Sequence, residues 1–180
     1  SGPATITTPG SASSQVTGIA AGGSAVLRWT VSNGDCTPDS DDVLLTNYAP
    51  PSAALAGSDI EQCDNSTFIL TGNTPATGTG MWILSSGFAD IVNANSHATV
   101  INNVAAGTSA TLKWQINNGP CPAEADSVTL TNYALPPTAD AGFDLEQCND
   151  GNFVLTGNDP SPGTGLWTIM GASNGASVNS

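Results

Sequence analysis

The sequence predicts an all-β chain of tandem immunoglobulin-like β-sandwich repeats with a period of about 85 residues. Three observations predict this fold class: an internal repeat without gaps, apolar side chains that alternate with polar ones, and turn residues between the alternating segments. The composition agrees, because charged residues are only 9% of the chain and glycines number 20. A chain that replaces charge with Ser, Thr, Asn and Gly favours strands and turns over helices.

The internal repeat is the strongest signal in the chain. When the sequence is shifted by the spacing from Cys36 to Cys121, 40 of the 95 overlapping pairs are identical, about 42%. Leu45–Ala49, for example, falls on the identical Leu130–Ala134. An ungapped match of this extent indicates duplicated structural units. The cysteines and tryptophans keep the same offset, in the pairs Cys36/Cys121, Cys63/Cys148, Trp29/Trp114 and Trp82/Trp167.

Proline-marked segments predict where one unit ends and the next begins. Tyr48–Ser52 and Tyr133–Pro137 each contain two prolines, and proline cannot donate a hydrogen bond to a strand ladder. Both segments are therefore predicted linkers. Residues 51–135 are then one complete repeat, residues 1–50 the C-terminal half of a preceding repeat, and residues 136–180 the N-terminal half of a following one. We expect the parent protein to be much longer than this chain.

Strict alternation predicts the strands of each unit. In the segment 110–116, Leu112, Trp114 and Ile116 face one side and the polar residues between them face the other. The dipeptide Asn118–Gly119 that follows is typical of a hairpin, and Val128–Tyr133 is the returning strand. Further strands are predicted near 53–62, 68–73, 80–85 and 98–104. About seven short strands in one repeat indicate an immunoglobulin-like sandwich.

The four tryptophans are predicted to be core or near-core residues. Within the complete repeat, Trp82 lies in the third predicted strand and Trp114 in the sixth. Trp29 and Trp167 occupy the equivalent positions of the flanking units. Large aromatic side chains at inward positions of alternating strands contribute most to a sandwich core.

Charge and motif content exclude several classes of function. Fifteen acidic residues against two basic ones give a net charge of -13, so neither nucleic acid nor anionic lipid is an expected partner. No apolar run approaches the roughly 20 residues that span a bilayer, so direct membrane insertion is not expected. His97 is the only histidine, and its repeat partner is Ala12. No nucleophile–histidine arrangement repeats, and the chain is predicted not to be an enzyme.

The repeat pattern resembles a known class of surface protein. Its parts are Ala-Gly-x-Asp before the first cysteine (Ala141–Asp144), Leu-Thr-Gly-Asn (Leu70–Asn73), Gly-Thr-Gly-x-Trp (Gly78–Trp82) and Trp-x-x-x-Asn-Gly-x-Cys (Trp114–Cys121). Over the whole chain this resembles the Ig-like and PKD-like tandem repeats of very large surface adhesins of Bacteroidota, such as the SprB-type gliding-motility adhesin.

The resemblance implies a function without catalysis. Such proteins leave the cell by type IX secretion and project from its surface as long filaments. The implied role is an extracellular stalk segment whose partners are neighbouring repeats, with other regions meeting the outer-membrane secretion or motility machinery. Two alternatives are a non-catalytic spacer or glycan-binding module of a secreted hydrolase, and a subunit of a self-assembling extracellular fibre.

The cysteines of a secreted chain are predicted to form disulfides, and CxxC spacing typical of zinc is missing. An intradomain bond, Cys63–Cys121, is the usual arrangement. In a second arrangement, the bonds Cys36–Cys63 and Cys121–Cys148 would each cross one linker. In immunoglobulin topology the turns that carry Cys63 and Cys121 lie at opposite ends of a sandwich. A third arrangement therefore joins the first-turn cysteine of one repeat to the last-hairpin cysteine of the next.

Carboxylate side chains near the linkers suggest a calcium-binding site. Asp59 with Glu61, and Asp144 with Glu146, lie two positions apart on predicted strands, so each pair shares one face. Hard carboxylate ligands there would bind Ca²⁺ and stiffen the joint. Solvated acids that keep the chain soluble are the simpler explanation, and no other cofactor is predicted.

Two further surface features repeat or match short motifs. Arg28 and Lys113, the only basic residues, share one repeat position on the outer face of the tryptophan strand. A salt bridge to a carboxylate on the neighbouring strand is the expected role of each. Asp126–Val128 resembles the short O-glycosylation motif of Bacteroidota, which makes Ser127 a candidate for modification.

Overall fold

The computed structural model describes residues 4–148 and 151–171. Every regular element in this part of the chain is a β-strand, and all strands lie before the second linker. The strands are β1 (Thr5–Ile6), β2 (Val16–Thr17), β3 (Gly23–Val31), β4 (Asp39–Asn47), β5 (Ile60–Cys63), β6 (Phe68–Thr71), β7 (Thr79–Ser86), β8 (Asp90–Ile91), β9 (Ala98–Asn102), β10 (Thr108–Asn117) and β11 (Glu124–Tyr133).

Residues 51–135, all of them described, form a two-sheet sandwich from β5 to β11. One sheet has the order β5-β11-β10-β7 and the other has the order β6-β9-β8. All neighbours are antiparallel except β5, which runs parallel to β11. A first strand that joins the last in parallel, with sheet changes between the two, is the immunoglobulin-like arrangement. The predicted fold class is therefore confirmed.

The core lies between the two sheets and centres on the tryptophan pair. Trp82 and Trp114 are only 2% and 1% exposed, and their ring centroids are 5.1 Å apart at an interplanar angle of 43°. Trp82 is in the third strand of the repeat and Trp114 in the sixth, as predicted. Gly80 is needed beneath Trp114, because a Cβ there would lie 2.1 Å from the Cζ2 atom of the indole. The other buried apolar side chains are Ala54, Ala56, Phe68, Leu70, Ala89, Ile101, Val104, Ala110, Leu112, Ile116, Val128 and Leu130.

The first predicted strand is much shorter than the prediction of 53–62. Only residues 60–63 join the ladder, as β5. The segment before it is held by side chains instead: the Leu55 amide donates to Asn73 Oδ1 at 2.9 Å, and the Ala56 amide donates to Asp126 Oδ2 at 2.8 Å. Apolar alternation cannot distinguish this segment from a strand, since Ala54 and Ala56 are buried in both cases.

The flanking units are structured as parts of the same repeat. Upstream, β3 and β4 pair from end to end in the register that β10 and β11 use. Downstream, the Asp140 amide donates to Asn158 Oδ1 at 2.8 Å and the Asn158 amide donates to the Asp140 carbonyl at 3.0 Å. These bonds repeat the pairing of Leu55 with Asn73, one repeat earlier in the chain.

The prediction of a core position is wrong for two tryptophans of this chain. Trp29 is 45% exposed and Trp167 is 40% exposed. The physical reason is that a sandwich core needs two complete facing sheets. Residues 4–50 supply only the hairpin β3–β4 and the short pair β1–β2, without equivalents of β5, β6 and β7. Near Trp167, the described residues from 136 onward form no sheet.

Candidate functional site: the junction between repeats

The first junction comprises the linker 48–52 and the β10–β11 loop, residues 118–123, which packs against it. Asn118 Nδ2 donates to the Ala49 carbonyl oxygen at 2.8 Å. The Cys121 thiol lies 3.4 Å from the same oxygen and 3.7 Å from the carbonyl oxygen of Tyr48. The complete repeat thus contacts the linker carbonyls through its last hairpin.

Gly119 in this loop lies against the ring of Tyr48 in the preceding unit. A Cβ at this position would lie 2.5 Å from Cδ1 of the Tyr48 ring, so only glycine permits the contact. Its φ of 57° also lies in the left-handed region that glycine adopts at low cost. The Asn-Gly motif predicts the turn, but its second role against Tyr48 is visible only in the structure.

The other side of the linker is held by the loop between β6 and β7. The Ser52 amide donates to the Thr77 carbonyl at 3.0 Å, and the Thr77 amide donates to Ser52 Oγ at 2.8 Å. Pro51, the residue before Ser52, is buried. The complete repeat therefore contacts the linker on both sides, through the β10–β11 loop and through Thr77.

Asn73 connects the entry segment of the complete repeat, residues 53–56, to the core. Its side chain accepts from the Leu55 amide at 2.9 Å and from Trp114 Nε1 at 3.1 Å, and its Nδ2 donates to the Ala53 carbonyl at 2.9 Å. The Asn73 amide also donates to the Leu55 carbonyl at 3.0 Å. One side chain therefore satisfies the buried indole and replaces the missing ladder of residues 53–55.

The four cysteines all lie in the described residues, and none of them is bonded to another. Cys63 ends β5 beside Tyr133, whereas Cys121 precedes β11 at its other end. The length of β11 separates these two positions by about 30 Å, and a disulfide needs Cα atoms within about 7 Å. The expected intradomain bond Cys63–Cys121 is therefore wrong.

The bond Cys36–Cys63 across the first linker is wrong for the same reason. Cys36 lies in the β3–β4 loop, at the end of that hairpin far from the linker, whereas Cys63 lies beside Tyr133 at the far end of the complete repeat. The lengths of β4 and β11 therefore separate Cys36 from Cys63. For Cys121 and Cys148 the repeat offset predicts the same separation.

The candidate calcium ligands are not assembled into a site. Asp59 Oδ1 accepts from the Thr129 amide at 2.8 Å, a bond that caps the edge of β11. Glu61, Asp144 and Glu146 are exposed. Among the described residues there is no group of three or more His, Cys, Asp or Glu side chains placed to hold a metal ion.

The repeated basic position pairs with a carboxylate in one unit only. Arg28 on β3 is in register with Asp42 on β4, and its Nε and Nη2 donate to the two carboxylate oxygens at 2.7 and 2.9 Å. Lys113 is in register with Ser127, which replaces the aspartate. No ion pair of Lys113 is present in the described part of the chain, so the expectation of a salt bridge in every repeat is wrong. Ser127 itself is exposed, and its modification stays a prediction.

The Arg28 guanidinium lowers the pKa of the Asp42 carboxyl through these hydrogen bonds. A depressed carboxyl pKa stabilises the folded hairpin above the unfolded pKa, and the contribution is lost as pH falls through the folded pKa. We expect Arg28→Gln to raise the titration midpoint of Asp42 in an NMR titration. Lys113→Gln removes the equivalent cation of the complete repeat and should leave that midpoint unchanged. Equal midpoints in Arg28→Gln and the parent chain would contradict the assignment.

The strand order, the core between two sheets and the contacts between the complete repeat and the linker 48–52 define an immunoglobulin-like β-sandwich repeat protein. No protein-family model matches the chain, and no curated protein matches it. Among solved structures, the chain is similar to the solution structure of the PKD domain from KIAA 1837 protein, at 19% identity and a TM-score of 0.40. The match covers 46% of this chain and 88% of that one. None of the described residues forms a helix long and apolar enough to cross a membrane.

Proposed function

We propose that this chain is a structural stalk segment of a long, secreted, filamentous cell-surface adhesin. The observation that supports the proposal is the first junction, where a short linker is held on one side by Asn118 and Gly119 and on the other by Ser52 and Thr77. Repeats joined in this way transmit orientation from one unit to the next. A stack of them would be a rod that presents distant binding regions.

The architecture of the complete repeat fits such a rod. Each repeat buries its own core, so the length of the stalk grows by duplication alone. The role requires no catalysis, and we propose none for these residues. On the resemblance of the repeat motifs, we further propose export by type IX secretion and attachment, through other regions, to outer-membrane secretion or motility machinery, including that of gliding.

The length of tandem arrays tests the stalk directly. In small-angle X-ray scattering, two, four and eight copies of residues 51–135 should increase in maximum dimension by the same increment for each added pair. The increment should be at least about 60 Å, twice the length of β11. Compact particles, whose dimension grows much more slowly than copy number, would overturn the proposal.

The stiffness of the junction depends on Gly119. Gly119→Ala places a methyl group against Tyr48, and overpacking of this kind costs about 1–3 kcal/mol. We expect chymotrypsin to cut after Tyr48 about 5- to 150-fold faster in this variant, because cleavage follows the population of the open junction. Gly34→Ala is the matched control: its φ of 51° is similar, but a Cβ there meets nothing within 4 Å. Equal acceleration in both variants would assign the effect to turn strain and not to the junction.

The location of the protein is a separate test. An antibody against residues 51–135, used in immunogold labelling of the source cells, should mark filaments along their length as they leave the cell surface. Label found only in the medium, on compact particles, would contradict the stalk. That result would favour the spacer or glycan-binding module of a secreted hydrolase.

A further inference from the structure

We propose that consecutive repeats are joined by a disulfide between Cys63 of one repeat and the hairpin cysteine of the following repeat, at the position of Cys121. The inference rests on the proposed function in one respect, since it requires further repeats in tandem. Three structural observations support it: the position of Cys121 on the preceding unit, the position of Cys63 within its own unit, and the translational identity of the two places.

The first observation is that Cys121 lies against the exit end of the unit before it. Its sulfur lies 3.7 Å from the Tyr48 carbonyl oxygen and 3.4 Å from that of Ala49. The nearby Gly119 lies against the Tyr48 ring, and Asn118 donates to Ala49. The contacts of the β10–β11 loop thus place Cys121 next to Tyr48.

The second observation is that Cys63 also lies at the exit end of a unit, beside the corresponding tyrosine. Cys63 on β5 and Tyr133 on β11 are register partners in the parallel ladder. The amide of Asp64, the next residue, donates to the Tyr133 carbonyl at 2.8 Å. Adjacent strands are separated by about 4.8 Å, so the Cα of Cys63 is near that of Tyr133.

The third observation is that Tyr48 and Tyr133 are the same repeat position. The contacts of both tyrosines can therefore be combined at one junction. There, the first-turn cysteine of the earlier repeat and the hairpin cysteine of the later repeat approach the same tyrosine carbonyl. The separations are of the order that a disulfide spans, since its Cα atoms lie about 4.4–6.8 Å apart.

Exposure and space are compatible with the bond. Cys63 is exposed and Cys121 is half-buried, so one thiol is open to an incoming oxidant. At the second junction a groove of about 500 Å³ lies beside Tyr133, lined also by Ala134, Pro136 and Gly163. We assign this groove to the β10–β11 loop of the following repeat, which at the first junction covers Tyr48 and Ala49.

The proposed bond cannot form between any two of the four cysteines of this chain. The two cysteines of each proposed bond are separated in sequence by one whole repeat plus the interval from Cys63 to Cys121. No two of the four cysteines have that spacing. Formation of the bond removes two protons and two electrons from two thiols. A protein disulfide of the thiol-oxidoreductase class accepts them and is reduced to two thiols.

The test uses this chain with residues 51–135 duplicated in tandem, which raises the number of cysteines to six. After oxidation by oxidised glutathione, peptide mapping should find one disulfide, between Cys63 of the first copy and Cys121 of the second, and thiol titration should count four free thiols. Cys63→Ser in the first copy should abolish the bond. The same substitution in the second copy is the matched control and should leave it intact.

Three outcomes would overturn the proposal: a bond within one copy, a bond from Cys121 of the first copy to Cys63 of the second, or six free thiols after oxidation. Scattering from the reduced chain separates this failure from failure of the stalk. An extended reduced chain that forms no bond would retain the stalk and remove the disulfide. A compact reduced chain would remove the stalk itself.

Discussion

Asn73→Ala is expected to lower the free energy of unfolding of the complete repeat by about 2–4 kcal/mol. The substitution removes the acceptor of Trp114 Nε1, an indole that is 1% exposed, together with the two bonds that hold residues 53–55. A buried donor left without a partner costs about 1–3 kcal/mol, and the loosened entry segment adds to this. Denaturant unfolding followed by tryptophan fluorescence measures the change.

The chain contains its own control for this substitution. Asn158 makes the corresponding bonds to Asp140 and Thr138, but the nearby Trp167 is 40% exposed. Asn158→Ala should therefore leave the unfolding of residues 51–135 unchanged. In a Trp114→Phe background, Asn73→Ala should cost about 1–2 kcal/mol less, since no indole remains to be satisfied. An undiminished cost there would assign the effect to the entry segment alone.

Oxidised tandem arrays are expected to release less than about a tenth of the extension that reduced arrays release under force, which is the largest effect predicted for this protein. In a reduced array, each unfolding repeat frees about 85 residues, or about 300 Å of chain, against a folded length of roughly 30 Å. The step is therefore about 270 Å. If Cys63 of each repeat is bonded to the hairpin cysteine of the next, most of this chain is bypassed.

The taut covalent path through an oxidised array is short. It crosses one disulfide, follows the chain from the position of Cys121 to that of Cys148, and then crosses the next disulfide. Two repeats then contribute about 95 Å of extended chain, compared with about 60 Å when folded. The extension released is roughly 20 Å per repeat.

Single-molecule pulling on an array of eight copies measures this difference. We expect an extension of about 270 Å per repeat after reduction and of roughly 20 Å per repeat after oxidation. An array with Cys63→Ser in every copy should give the long steps in both conditions. Long steps from the oxidised parent array would contradict the covalent path.

Much of the fold was predictable because it follows from local chemistry. The alternation around Trp114 predicts β10 and its inward face, and the repeat offset predicts that β3 and β4 correspond to β10 and β11. The short β5 was not predictable in the same way. The segment before it has the apolar pattern of a strand, and only the positions of Asn73 and Asp126 show that side chains hold it.

The junction was predictable only in part. Two prolines indicate a linker, but they do not indicate which residues pack against it. The residues that contact it, Asn118, Gly119 and Thr77, are distant from it in sequence. The cysteines show the same limit: their spacing indicates disulfides but is equally compatible with several pairings.

The class of fold and the period of the repeat follow from residue pattern and composition, which can be read along the chain. Only the folded chain shows which ends of the sandwich the cysteines occupy, which tryptophans are covered, and how one unit contacts the next. The physical reason is that these properties depend on contacts between residues far apart in the chain. The parallel pairing of β5 with β11, which brings Cys63 to Tyr133, is the contact from which the order of the junction follows.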